Sequence, residues 1–160
     1  SQPASRVKTF AMAENVASYM RCQEVRISLE GDAARLAALR RTDEQMAIID
    51  AVHQRFAASA TQGKMNAEED LAFHKSITDA TGNEFFREVL ESTHEALSGF
   101  MRLSINLTRT GSARRAQKVM EEHTAIVEAI RARDGDRARV AMQFHLDQAK
   151  QRLINRERDA

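Results

Sequence analysis

Residues 13–41, AENVASYMRCQEVRISLEGDAARLAALRR, decide the fold. The apolar positions Val16, Tyr19, Met20, Val25, Leu29, Ala33, Leu36 and Leu39 recur every three or four residues. That period belongs to a helix with one buried stripe. The composition is Ala, Leu, Arg and Glu, with few β-branched residues, which favours helix over strand. The spacing predicts one long helix bent at Gly31. The single proline of the chain is Pro3, so nothing downstream forbids further helix.

The same period continues. Thr42-Asp43 offers an N-cap for a helix carrying Met46, Ile49, Val52, His53 and Phe56 and ending near Gly63. Asn66 with Glu69 has the form of a capping box ahead of Leu71, Phe73, His74 and Ile77. Thr81-Gly82-Asn83 stops that helix and caps another, running from about Glu84 to Thr108 through Phe86, Leu90, Leu97, Met101 and Ile105. Gly111-Ser112 opens a fifth with Val119, Met120, His123, Ile126, Val127 and Ile130. Asp134-Gly135-Asp136 is a tight junction into a last helix with Val140, Met142, Phe144, His145, Leu146 and Leu153. Six helices on short connectors predict an all-α, antiparallel up-and-down bundle.

Composition narrows the function. The 160 residues are 42% hydrophobic and 29% charged, the size and balance of one ordinary domain. Lys and Arg number 24 against 23 Asp and Glu, and neither half of the chain is strongly basic, so bulk charge gives no DNA-binding arm. One cysteine, Cys22, excludes an internal disulfide framework and reads as a packed small residue. No apolar run approaches a membrane span, so the expectation is a cytoplasmic protein without a membrane partner. There is no Walker loop, nucleophile elbow or dinucleotide fingerprint.

The histidines carry what chemistry there is. Asp70 and His74, four apart on one helix, share a face and can grip one metal ion. His123 lies between Val119 and Ile126, and His145 between Met142 and Leu146, each on an apolar stripe. Each alone reads as a core histidine satisfied by some hydrogen bond. Together with an inward Asp-His pair, three imidazoles and a carboxylate also form a metal-site inventory. Glu91-x-x-His94 has no second copy, which excludes a di-iron carboxylate bundle, and His94 reads as a surface or groove residue. His53 reads as structural. Arg26 and Glu30, also four apart, read first as an exposed pair. The alternative is an inward Arg26, which needs an anion and can clamp a carboxylate.

With these residues in view the chain resembles a known family. Val25-Arg26-x-x-Leu29-Glu30, Ala33-Ala34-Arg35-Leu36-Ala37 and Arg41-Thr42-Asp43 resemble the opening helix of an FCD domain. This is the effector-binding domain of FadR-type regulators in the GntR transcription-factor family. The resemblance continues through Asp70-Leu-Ala-Phe-His74-x-x-Ile77, Thr81-Gly82-Asn83, Glu122-His123-x-x-Ile126, and Asp134-Gly-Asp136 leading to Met142-x-x-His145. It covers roughly residues 12–155, leaving 1–11 as the expected remnant of an interdomain linker and 156–160 as a tail.

The resemblance implies a bundle of six or seven helices that forms a homodimer and holds a divalent metal through Asp70, His74, His123 and His145. Zinc is the first expectation, and nickel, manganese or iron would also suit the donors. It implies a small organic acid effector held by Arg26, with Arg102 as a further basic contact. It also implies operator DNA as a partner only through a winged helix-turn-helix domain that precedes this one and is absent from these 160 residues. Two rival readings remain at this stage. One is a metal-dependent hydrolase or isomerase acting on a small carboxylic acid, with Glu30 as general acid or base. The other is a structural metal in a dimerisation bundle.

Overall fold

The computed structural model describes residues 16–107 and 112–159, with side chains over 16–98 and 113–155. Six helices follow in order: α1 (Val16–Arg40), α2 (Asp43–Thr61), α3 (Ala67–Asp79), α4 (Glu84–Leu107), α5 (Ser112–Arg131) and α6 (Gly135–Asp159). No strand occurs among the described residues. The all-α bundle is as expected, and its connectors are short. The expected linker at 1–11 lies outside the described residues, and so do the side chains of the tail at 156–160 and of Met101, Arg102 and Ile105.

Helix α1 runs unbroken through Gly31. A Cβ at Gly31 would lie 2.9 Å from the Gln143 side chain, so the glycine serves a close approach of α1 to α6. Gly135 does the same from the other helix, where a Cβ would lie 3.1 Å from Arg35 Cγ. Gly31 meets residue 143 while Arg35 meets residue 135, so the two helices are antiparallel. Of all the pairs, α1 and α6 pack most extensively.

The buried face of α1 differs from the apolar stripe read from the sequence. Val25 and Leu39 are 50% and 49% exposed, whereas Gln23, Arg26 and Glu30 are buried with Ala33, Ala34, Ala37 and Ala38. Helix α1 packs against α3, α4, α5 and α6. In its C-terminal half, alanine lets several backbones crowd one helix. In its N-terminal half, polar side chains face inward and are satisfied by other polar groups. Gln23, fully buried, donates from Nε2 to the Leu146 carbonyl of α6 at 3.0 Å.

The main core joins Met46, Ile49 and Val52 of α2, Phe73 and Ile77 of α3, Ile126 and Ile130 of α5, and Met142 and Leu146 of α6. Helix ends are closed locally. Thr42 and Gln45 form a complete capping box on α2, and Asn66 Oδ1 accepts from the Glu68 and Glu69 amides at the start of α3. Arg41, buried at the α1–α2 junction, donates to the Ile130 and Arg131 carbonyls, satisfying acceptors at the C-terminus of α5.

The α5–α6 junction departs from expectation in detail. Arg133, not Gly135, takes the left-handed conformation, with φ of 56°. The Asp134 amide bonds to the Ala129 carbonyl and the Arg133 amide to that of Ile130, a Schellman closure. Asp134 then caps α6 by accepting from the Arg137 amide at 3.1 Å. A residue with a Cβ is disfavoured in this conformation by about 1 kcal/mol. Arg133→Gly should therefore raise the unfolding free energy by about 1 kcal/mol, measured by urea titration. A variant no more stable than the parent contradicts this account of the turn.

Candidate metal centre

Helix α3 enters the site with Asp70 and His74, one turn apart on the face turned towards α5 and α6. Helix α5 brings His123 and α6 brings His145. His74, His123 and His145 are 1%, 0% and 4% exposed. One donor atom from each of these histidines and from Asp70 lies within 4.8 Å of all the others. Asp70 Oδ1 is 3.2 Å from His123 Nε2 and 3.7 Å from His74 Nε2. The Nε2 atoms of His123 and His145 are 3.2 Å apart.

The proton positions follow from the outer partners. His74 Nδ1 lies 2.7 Å from Glu30 Oε1, and His145 Nδ1 lies 2.7 Å from Glu122 Oε1. An ionised carboxylate only accepts, so each Nδ1 carries the proton and each Nε2 presents a lone pair to the centre. His123 is held differently, with its ring stacked on Phe73 at 3.9 Å and packed on Phe56 at 4.6 Å. Asp70 Oδ1 and His74 Nε2 are buried without a hydrogen bond. Lone pairs gathered this closely, with unpartnered buried acceptors among them, suit a cation bound at about 2 Å from each donor. The donor set of three imidazoles and one carboxylate therefore fits a divalent ion.

Burial dominates the electrostatics. It pushes His123 down to about 3, with the pull of Asp70 only partly opposing it. It also lowers His145, against the hydrogen bond to Glu122. Both imidazoles are thus neutral at pH 7, the form that ligates. Burial alone would raise the carboxylates, but their cationic and hydrogen-bonding neighbours win. Arg26, then His74 and His94, hold Glu30 well below the carboxylate range. Arg152 and His145 bring Glu122 to about 2, and the approach of His123 holds Asp70 low.

Two sequence readings are corrected. Arg26 and Glu30 are not an exposed pair: they are 2% and 1% exposed and ion-paired through Arg26 Nε and Glu30 Oε2. Arg26 Nη2 is buried without a hydrogen bond. His94 is not a surface residue either; it is 7% exposed, with Nε2 3.3 Å from Glu30 Oε2. Glu30 is thereby engaged by Arg26, His74 and His94, which leaves it poorly suited to move protons for a reaction. His53 stays outside the cluster, half-buried, with Nε2 3.0 Å from Thr124 Oγ1. The Arg102 side chain lies outside the described residues.

Sequence reasoning missed the outer ring of Glu122 and Arg152. The signals were present: Glu122 precedes His123, and Arg152 follows His145 by seven residues, two turns along the same face.

The FCD domain family matches residues 22–148. The chain belongs to the FCD domain family. Among its relatives, the HTH-type transcriptional regulator LutR of Bacillus subtilis (strain 168) is 30% identical over 123 residues, covering 77% of this chain and 56% of that protein. The galactonate operon transcriptional repressor of Escherichia coli (strain K12) is 28% identical, covering 81% of this chain and 55% of the repressor. The transcriptional repressor NanR of Salmonella typhimurium is 28% identical, covering 78% and 46%. The chain thus spans about half the length of the curated relatives it matches.

Solved structures with the same fold include Streptococcus agalactiae GntR, with TM-score 0.69 at 19% identity over 94% of this chain and 61% of that one. Another is E. coli McbR/YncC, with TM-score 0.76 at 15% identity over 88% and 69%. The relatives carry the names of transcriptional regulators and repressors. No helix among the described residues is long and apolar enough to cross a membrane.

A pH profile follows from the buried groups. His123 and His145 are depressed in the folded chain, so the unfolded chain binds more protons below the ordinary histidine value of 6.5. Glu122, Glu30 and Asp70, also depressed, add the same sign below the ordinary carboxylate values. The metal-free domain should lose stability steadily as pH falls from 7 towards 3. Denaturant midpoints that stay level across that range contradict the assignment of neutral buried imidazoles.

Proposed function

We propose that this FCD domain is the sensing and dimerisation half of a longer transcriptional regulator, binding a small organic acid at a divalent metal held by Asp70, His74, His123 and His145. The observation that carries this reading is the convergence of four donor atoms within 4.8 Å, with the buried Arg26 tied to His74 through Glu30. Zinc is the first choice of ion, with nickel, manganese and iron also compatible with the donors.

When bound, the ion supplies a Lewis-acidic position on which a carboxylate or hydroxyl oxygen of the effector can settle. The chain's own residues do the rest. Glu30 and Glu122 keep His74 and His145 in the ligating tautomer. Arg26 Nη2 is buried and unpartnered, which supports a role as donor to a carboxylate oxygen, a charge-assisted bond that a low-dielectric surrounding strengthens. Arg102 on α4 is a further candidate for the effector. The galactonate repressor among the relatives makes sugar acids the first class to try, ahead of other hydroxy acids and dicarboxylic acids.

Regulation follows from where these residues sit. Arg26 is on α1 and the four donors are on α3, α5 and α6, so a bound acid draws on four helices at once. In a homodimer of the whole regulator, a change in their packing would reset the spacing of two DNA-reading domains, which must match half-sites about one helical turn apart. The acid acts as a signal only by binding one arrangement more tightly than the other.

Two measurements decide the reading. Elemental analysis of purified protein should find about one divalent ion per chain in the parent and little in His123→Ala or His145→Ala. A metal-free parent prepared from metal-replete medium contradicts the centre. For the clamp, calorimetric titration with aldonic, hydroxy and dicarboxylic acids, galactonate included, should find a ligand that Arg26→Lys binds at least 10-fold more weakly, about 1.4 kcal/mol. Lysine keeps a cation beside Glu30 but loses the planar fork. Equal affinity in the two proteins removes Arg26 from the effector site.

A further inference from the structure

We infer that Glu122 and Arg152 are positioning residues of this centre, a brace that fixes His145 from behind and makes the C-terminal turns of α6 part of the site. The inference rests on reading the Asp70–His74–His123–His145 cluster as a cation site.

Helix α6 grips one carboxylate of α5 twice. His145 Nδ1 donates to Glu122 Oε1 at 2.7 Å. Two turns later Arg152 donates from Nη1 to Oε2 and from Nη2 to Oε1, both at 2.9 Å. This is a fork-on-fork pair, the geometry that fixes a carboxylate in both position and plane. The Glu122 and Arg152 side chains are 9% and 17% exposed, so solvent screens the pair far less than a surface ion pair.

A plain staple between two helices would need only Arg152 and Glu122. Here the same carboxylate also dictates a tautomer. Without Glu122, the His145 proton has another seat on Nε2, 3.2 Å from His123 Nε2, where it would point an N–H into the place a cation needs. Arg152 acts one step further out. It holds the carboxylate plane so that Oε1 faces His145.

The inner side of the site repeats the arrangement, with Arg26, Glu30 and His74 in the same order. The two arginines differ in how they are engaged. Both terminal nitrogens of Arg152 are engaged, whereas Arg26 Nη2 is unpartnered. Arg26 therefore has a terminal donor left for a ligand, whereas the terminal fork of Arg152, whose Nε alone is unpartnered, is committed to the brace.

The test uses the 160-residue chain and Zn²⁺ as the probe, in competition with a chromogenic chelator. Long-range proton–nitrogen correlation spectra of the metal-free protein report the His145 tautomer independently. The parent should show the proton on Nδ1. Glu122→Leu should move it towards Nε2 and weaken Zn²⁺ roughly 10- to 100-fold. Glu122→Gln, which keeps an acceptor oxygen for Nδ1, should recover most of both. Arg152→Leu should weaken Zn²⁺ less than Glu122→Leu does. The double variant with leucine at both positions should be no weaker than Glu122→Leu alone, because Arg152 acts only through Glu122.

The brace is overturned by a Glu122→Leu chain that keeps parental Zn²⁺ affinity, by a His145 tautomer that does not move, or by losses that add in the double variant. A parent that takes up no Zn²⁺ overturns the cation reading instead. The tautomer comparison needs no metal and still judges the brace in that case.

Discussion

Three imidazole nitrogens and one carboxylate oxygen, all acceptors in their ligating state, are held within a few ångströms of one another away from water. Such a gathering is unfavourable on its own, since like partial charges face each other and hydration is lost. The surrounding structure exists in a form that enforces it. Phe73 stacks on His123, Glu30 and Glu122 hold the far nitrogens of His74 and His145, and an arginine stands behind each glutamate. Removing either glutamate leaves a buried imidazole Nδ1 without its partner, and removing Phe73 bares one face of the His123 ring.

The first helix shows how this demand shapes the fold. Its inward face is polar where it meets the site and small where it meets the core. Gln23, Arg26 and Glu30 line one end; Ala33, Ala34, Ala37 and Ala38 line the other. A helix touching four neighbours has no room for the large aliphatics that a sequence reader expects inside. The polar end is buried because its groups satisfy one another, and Gln23 reaches a main-chain carbonyl of α6.

This explains what could be read from the sequence. Six helices and their junctions were legible because helical period and capping residues act locally: Thr42, Asn66 and Asp134 cap as their types predict. The convergence of Asp70, His74, His123 and His145 was legible in part, because each histidine lies on an apolar stripe and stripes meet in a bundle. The facing of Arg26, Glu30 and His94 was not. A charged pair four apart looks the same whether it lies in water or in a core, and only the third partner distinguishes the two cases. For Glu30 that partner is His74, 44 residues away. Likewise Val25 and Leu39 have the apolarity of core residues, but the rotation of α1 is set by the polar cluster rather than by its aliphatic side chains.

The buried arginine–glutamate–histidine chains also bear on how such a domain can drift over generations. Replacing His74 alone would strand Glu30 against Arg26 and His94, and replacing His145 alone would leave Glu122 answering only to Arg152. A lineage that abandoned the metal by exchanging His74 or His145 alone would leave a buried carboxylate with one partner fewer. Substitutions that arrive together, ligand with carboxylate and carboxylate with arginine, avoid that cost. Descendants that have lost the centre in this way should differ at the outer ring as well as at the ligands.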